Sequence, residues 1–472
     1  MKSPKVISNT GWILFGNGFN KVSSIILLFI LSRYLGVEDF GRFSFAFFYM
    51  QFFYCIAEFG FTPVLIKYIS LGIVRPEEIQ GKGIMAGLIM SALAVLLSWA
   101  GTYILGYQDD LRYLIVVASL GILISFRDIT FRWILEVPFR AKLRMAYPVT
   151  LGIFSELLGL LMVLLTVYFE GSLESILAVY VLSSLPAFIW LSIISIREVK
   201  PVLTTHSISI KNIMQEAAPI GISNMLITAY LMFGSLVLFH FKGEGDLGYY
   251  ALALRLITSL RIIPEAMMHS LFPFISRATT EGLQGVGDIL KTAIKYGAFI
   301  AFPLAFGTMV VSDSVTVLLG GEQFGPAAAA LSIMIWATFF AFFNTILRFT
   351  FNGASMQRYN FNTSILMLII SILLSLILIP RYGFIGASYA LVAAECAGLI
   401  YGILIARSFL ATFSVDSLAK NMLAALIMTA TIWFIPSLPL QIVSGLVVYL
   451  IASILLKGIS KDELLKLFPV RV

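Results

Sequence analysis

Gly36-Val37-Glu38-Asp39-Phe40-Gly41-Arg42-Phe43-Ser44-Phe45-Ala46 returns as Gly243-Glu244-Gly245-Asp246-Leu247-Gly248-Tyr249-Tyr250-Ala251-Leu252-Ala253, and 243 − 36 = 207. Gly, Asp, Gly, an aromatic residue and Ala recur in the same order, and each copy joins one long apolar run to the next. The chain therefore reads as two related halves, each with a tight turn near its start. Around Pro63-Val64-Leu65-Ile66-Lys67 and Pro273-Phe274-Ile275-Ser276-Arg277 a second likeness follows, now offset by 273 − 63 = 210 residues.

The runs flanking these turns belong in a bilayer. Of 472 residues 59% are hydrophobic and 12% charged, and the mean hydropathy is +0.96. Soluble domains hold roughly 45–50% apolar and about 25% charged residues. The longest polar stretch, around Arg197 to Lys211, has room only for a connector. A glycan-polymerising enzyme or a membrane scaffold with a sizeable extramembrane domain is thereby excluded. Function must reside among the helices.

A spanning helix needs about 20 mostly apolar residues, and about fourteen such runs can be counted. They begin with Thr10–Leu35 and Phe40–Ile66, include Tyr113–Val137, Ser172–Ile196 and Leu247–Phe272, and end with Leu440–Leu456. The opening Met1-Lys2-Ser3-Pro4-Lys5 resembles the start of a signal peptide, but the apolar run continues to Leu35 without a small-residue cleavage site, so a retained first helix is expected. Alternating sides at every span puts 21 Lys and Arg on the side of both termini, among them Lys2, Lys461, Lys466 and Arg471, against 5 on the other. Basic residues mark the cytoplasmic side, so both termini are expected there, in a plasma membrane. The net charge of +7 is thus topological and predicts no nucleic-acid partner.

Six spans separate the two turns, an even number, so both halves run the same way through the membrane as a parallel repeat. The expected architecture is an all-α polytopic membrane protein. Lobes at 1–207 and 208–410 hold six helices each, and two further helices with a tail occupy 411–472.

Motifs for covalent chemistry do not hold up. Gly243-Glu244-Gly245-Asp246-Leu247-Gly248 fits G-x-G-x-x-G, but that fingerprint needs a preceding strand and a ribose-binding acid, and here it joins two membrane helices. No Walker A sequence occurs. His206, His240 and His269 lack metal-ligand spacing, and Cys55 and Cys396 both lie within apolar runs. No cofactor and no catalytic residue is expected, which points to a transporter.

Charge inside the membrane is costly and marks a pathway or a buried pair. Asn17, Asn20, Lys21 and Ser24 form one polar face on the first helix. The eighth carries Arg255, then Arg261, Glu265 and His269 at four-residue steps beside Pro264; the tenth carries Asn344, Arg348 and Asn352. Lys21, Arg255, Arg261 and Arg348 are the candidate substrate-binding cations, although Arg348 is close enough to a membrane edge to snorkel. Asp128, Arg132 and Glu136 also step by four and can satisfy one another as a ladder. The acids Glu58, Glu156 and Glu395 either pair with the cations or carry a coupling proton.

With Gly320-Gly321-Glu322-Gln323-Phe324-Gly325-Pro326-Ala327 and Tyr382-Gly383-Phe384-Ile385-Gly386-Ala387 added to the two turns and the Pro273 motif, the chain resembles the polysaccharide biosynthesis protein family. These are the O-antigen and lipid-linked oligosaccharide flippases of the multidrug, oligosaccharidyl-lipid and polysaccharide exporter superfamily. The resemblance implies two six-helix lobes around a cavity open to alternate sides, with a polyprenyl diphosphate sugar as substrate. Lys and Arg give charge-assisted hydrogen bonds to such a phosphate. It also implies contact with membrane lipid and functional coupling to glycosyltransferases and a polysaccharide polymerase. Similar lipid II flippases carry cavity arginines on the first, second and eighth helices; Lys21 and Arg255 match by position, while the second helix has Glu58. An ion-coupled drug exporter of the same superfamily is the alternative, and it would need acids to dominate the cavity.

Overall fold

A computed structural model describes residues 4–203, 208–281, 283–407 and 415–459. Lys2, His206, Lys461, Lys466 and Arg471 lie outside them. Every regular element among the described residues is helical. The chain divides into two compact units, Met1–Phe239 and His240–Val472.

The first unit holds α1 (Pro4–Glu58), α2 (Phe61–Leu71), α3 (Pro76–Ile104), α4 (Asp109–Ser119), α5 (Gly121–Ile124), α6 (Arg132–Ala141), α7 (Ala146–Tyr168), α8 (Leu173–Leu182) and α9 (Leu185–Glu198), with the first part of α10 (Ile210–Leu260). The rest of α10 begins the second unit, followed by α11 (Ile262–Glu281), α12 (Leu283–Gly320), α13 (Ala327–Gly353), α14 (Gln357–Ala406), α15 (Val415–Ile432) and α16 (Leu438–Leu455).

Nine described helical stretches are long and apolar enough to cross a membrane. Three of them, Ser8–Leu71, Ile210–Phe272 and Gln357–Ala406, run to 64, 63 and 50 residues, enough for two crossings each. Single glycines break them. Gly36 (φ 72°, ψ −174°), Gly243 (φ 78°, ψ −163°) and Gly383 (φ 56°, ψ −135°) leave the helical region inside α1, α10 and α14. Positive φ is costly for a residue with a Cβ. At Gly243 a Cβ would meet nothing within 4 Å, so its backbone angle alone requires glycine. At Gly383 a Cβ would also strike the Asp246 carboxylate.

Four predicted spans are interrupted. Phe40–Ile66 breaks at Phe59 and Gly60, both at positive φ (40° and 78°). Tyr113–Val137 is replaced by α4, α5 and α6 with a non-helical stretch at Ser125–Thr130. Asp128 therefore falls outside the predicted four-residue ladder, which starts at Arg132 instead. Ser172–Ile196 is interrupted at Ser183–Ser184, where Pro186 lacks the N–H that would bond one turn back. Leu247–Phe272 is interrupted at Arg261, three residues before Pro264, for the same reason.

Lipid offers no hydrophobic drive for helix association, so small residues let backbones meet. A Cβ on Gly60 would lie 2.6 Å from the Ala217 carbonyl, and one on Gly221 the same distance from that of Phe59, so the Phe59–Gly60 break before α2 meets α10 almost backbone to backbone. Along the same seam Phe45 stacks on Phe239 at 3.9 Å and Lys67 Nζ reaches Glu216 at 2.9 Å. In the second unit α15 and α16 pack on α12 through Met428, Tyr449 and Ala452. Tyr449 donates to the Phe299 carbonyl at 2.7 Å, and Ser453 to Asn421 at 2.9 Å.

Candidate functional site

In the first unit the polar centre is built where the fourth predicted span breaks. Opening a helix in a membrane frees carbonyls that must find donors within the protein. Ser125 O accepts from Thr130 Oγ1 at 3.1 Å and from Arg132 Nε at 3.0 Å. From the same stretch Arg127 reaches the interruption between α8 and α9, donating to Tyr180 O (3.0 Å), Ser184 Oγ (3.1 Å) and Ser183 Oγ (3.4 Å). Its guanidinium lies 4.0 Å from the Tyr180 ring centroid and 3.3 Å from Glu156 Oε1. Both ionic side chains are nearly buried, 11% and 8% exposed, and Ser23 donates to the second Glu156 oxygen at 3.4 Å. Glu156 is thus a buried counter-ion to an arginine that joins two interrupted helices. Asp128 accepts from Gln51 (3.4 Å) and Ser125 (3.3 Å) instead of joining the ladder. Arg132, Glu136 and Arg140 do form one: both arginines donate to Glu136, Arg140 at 2.6 Å.

Glu58 also has a structural task. Its two oxygens accept from the N–H groups of Gly60 and Thr62, each at 2.8 Å, capping the start of α2 across the positive-φ pair. A carboxylate at a helix N-terminus is favoured by the exposed N–H groups and the helix dipole. On α1, Asn17 is exposed, Lys21 half-buried, and Asn20 keeps its amide oxygen buried without a hydrogen-bond partner among the described residues.

The second unit brings Arg261, Glu395 and Asn344 together from the α10–α11 interruption, α14 and α13. Arg261 donates to Glu395 Oε1 at 2.5 Å, and Asn344 Nδ2 bonds Oε2 at 2.8 Å and the Glu395 carbonyl at 2.9 Å. The Glu395 side chain is 1% exposed and that of Arg261 19%. Arg348 is held more loosely. Its Nη2 lies 3.6 Å from Glu265 Oε1, with side chains 39% and 48% exposed. Phe349 lies 5.5 Å from its guanidinium, with His269 edge-on to that ring at 4.9 Å. Asn360 ties the Arg348 carbonyl (3.0 Å) to Asn352 Oδ1 (2.8 Å). Arg255 is half-buried, six residues before the interruption.

Arg127 carries no signal at helical spacing, because no acid stands three or four residues from it on either side. The adjacency of two opposite charges inside an apolar run was itself the signal of a break. The likeness of Glu58 and Glu265 was also readable, since 265 − 58 = 207, the offset of the glycine turns.

A family model described as polysaccharide biosynthesis protein matches residues 6–279, more than half of the chain. The chain belongs to the polysaccharide biosynthesis protein family. A second model, MatE, matches residues 219–377. Among curated relatives, the probable flippase AglR of Haloferax volcanii is 24% identical over 39% of this chain and 39% of its own length. The capsular polysaccharide biosynthesis protein CapF of Staphylococcus aureus is 18% identical over 84% of this chain and 98% of its own. Among solved structures, the lipid II flippase MurJ in an inward closed conformation has a TM-score of 0.71 at 17% identity, covering 95% of this chain and 98% of that one. An inward-facing multidrug resistance MATE family transporter has a TM-score of 0.64 at 14% identity, covering 83% and 99%. The fold is that of these transporters, and the chain is a multi-pass membrane protein.

Proposed function

We propose that this protein is a flippase that carries a polyprenyl diphosphate-linked oligosaccharide from the cytoplasmic to the outer leaflet by alternating access. Rocking of lobes 1–207 and 208–410 moves the headgroup, while the acyl tail stays in lipid, along the helices of 411–472. Both termini lie in the cytoplasm of a cell whose plasma membrane holds the protein, with glycosyltransferases supplying the substrate and a polymerase using it. Lys21, Arg255, Arg261 and Arg348 are the proposed contacts to the diphosphate, and Asn17 and Asn20 are further polar candidates.

The observation that carries this reading is Arg348. Its guanidinium, with 39% of the side chain exposed and Glu265 beyond hydrogen-bond reach, stands at the end of a membrane-crossing helix, where a cation is suited to a phosphate at headgroup level. The exporter alternative draws support from the MatE match at 219–377. Against it, the acids it needs are engaged: Glu58 caps α2, Glu156 pairs with Arg127 and Glu395 with Arg261.

The test is reconstitution into liposomes with a fluorescent lipid-linked oligosaccharide. Wild type is expected to flip it, with Lys21→Ala and Arg255→Ala at least about tenfold slower, the loss of one charge-assisted contact. Equal rates in all three would remove these residues from the site, and no flipping with several glycan lipids would favour the exporter.

A further inference from the structure

Among the arginine–carboxylate pairs of the described helices, one differs in kind. Arg127–Glu156 and Arg261–Glu395 are enclosed, and their carboxylates receive further donors from Ser23 and Asn344. Arg348–Glu265 has 39% and 48% of its side chains exposed, and its 3.6 Å separation is beyond hydrogen-bond reach. Position adds a second observation. Glu265 lies 265 − 243 = 22 residues beyond the turn glycine, about 33 Å of helix contour, and Arg348 lies 348 − 327 = 21 residues from the start of α13, about 32 Å. Both distances match a hydrocarbon core of about 30 Å. Both lengths are those of a full span, which puts the pair at headgroup level in the topology expected from the sequence, at the face opposite the Gly243 turn.

We propose that Glu265 is a place-holding counter-ion for Arg348, displaced when a diphosphate headgroup binds, and that this exchange selects diphosphate over monophosphate headgroups. The inference rests on the flippase reading above and names how the site tells its substrate from bulk lipid. Phosphodiesters of the surrounding bilayer pass the same level constantly. An open arginine would hold them, since guanidinium–phosphate pairs are often bidentate. With Glu265 across from it, an incoming anion must out-compete a carboxylate already in place. A singly charged phosphodiester gains little by the exchange, whereas a diphosphate brings more charge and more acceptor oxygens. Specificity is a difference of affinities, and the carboxylate lowers the affinity for the wrong partner more than for the right one.

The neighbours fit such an exchange. Phe349 lies against the guanidinium and keeps it in position without a hydrogen bond from Glu265. Asn360 fixes the backbone at Arg348 and orients Asn352 on the next turn. Glu265, at 48% exposure, is not enclosed by packing and has room to move when it is released.

The test uses the full chain in detergent, titrated calorimetrically with farnesyl diphosphate, farnesyl methyl phosphate as a singly charged monophosphate diester, and inorganic pyrophosphate. In Glu265→Gln, monophosphate binding should tighten about fivefold, the scale of one exposed ion pair, and more than diphosphate binding, so the preference shrinks. Arg348→Gln should weaken diphosphate binding about tenfold and abolish the effect of Glu265→Gln in the double variant. Arg348→Lys, retaining the charge, should keep part of the affinity and guards against misfolding of the glutamine variant. Pyrophosphate should follow the same order more weakly, because the diphosphate is the group read; an effect confined to the prenyl chain, seen equally with all farnesyl probes, overturns the proposal. So does an unchanged di- to monophosphate ratio in Glu265→Gln, or weaker binding there. The liposome assay answers separately: a wild type that flips while these ratios stay fixed sinks only the counter-ion, and one that flips nothing sinks the transport reading whatever the titrations give.

Discussion

The two copies of the repeat treat equivalent residues differently. Glu58 is 3% exposed and its oxygens cap α2, whereas Glu265, 207 residues on, is about half exposed and faces Arg348. Asp39 pairs with Arg42 three residues away at 3.6 Å, whereas its counterpart Asp246 caps the distant helix start at Phe384, accepting its N–H at 3.0 Å. In the first half the fourth and sixth predicted spans are interrupted, with Arg127 joining the gaps. In the second, α13 runs unbroken from Ala327 to Gly353 and α14 unbroken beyond Gly383. A shared topology has thus been kept while the polar groups were reassigned. Glu58 and Glu156 of the first half hold broken helices together, whereas Arg348 and Glu265 of the second stay substantially exposed.

The sharpest way to break this comparison is to empty the first-half centre. Arg127→Leu leaves Glu156 buried without its cation and removes the donors to Tyr180 and the two serines, so a loss of about 3–5 kcal/mol is expected. Replacing both partners, Arg127→Leu with Glu156→Leu, should recover a good part of it. Thermal unfolding in detergent measures both, and a wild-type midpoint in the single variant would show that Arg127 does not hold the interruptions together.

Next come the glycines. Gly60→Ala meets both positive φ and the Ala217 carbonyl, and about 2–4 kcal/mol is expected. Gly243→Ala meets only the backbone angle, with open space around it, for about 1–2 kcal/mol. Equal shifts in the two would mean that the α2–α10 approach relaxes freely.

The smallest pair tests the reassigned acids directly. Glu58→Ala should cost about 1 kcal/mol, the usual worth of an N-cap, whereas Glu265→Ala should stay within about 0.5 kcal/mol because its partner is half exposed. A larger loss from Glu265 in the same unfolding assay would make it a structural acid and reverse the contrast.

Much of the candidate site was legible residue by residue. Asn344, Arg348 and Asn352 were read from their four-residue steps, and Arg261, Glu265 and His269 from theirs, because a helix repeats its face every 3.6 residues. Partners on different helices were not. Glu395 was seen as an isolated acid, and only the fold brings it to Arg261, 134 residues away. Arg127 belongs to the same class: its partners at Ser183, Ser184 and Glu156 lie on other helices, so no local spacing announces them.

Sequence alone showed that this chain crosses a bilayer repeatedly, that one turn motif recurs 207 residues on, and that these turns hinge on glycines, because hydropathy and φ > 0 are local properties. Tertiary structure decided which charges are satisfied and whether an interrupted helix is held together. A broken helix survives in a membrane only if side chains from elsewhere bond its freed carbonyls, and whether such donors arrive is settled by packing between segments far apart in the chain.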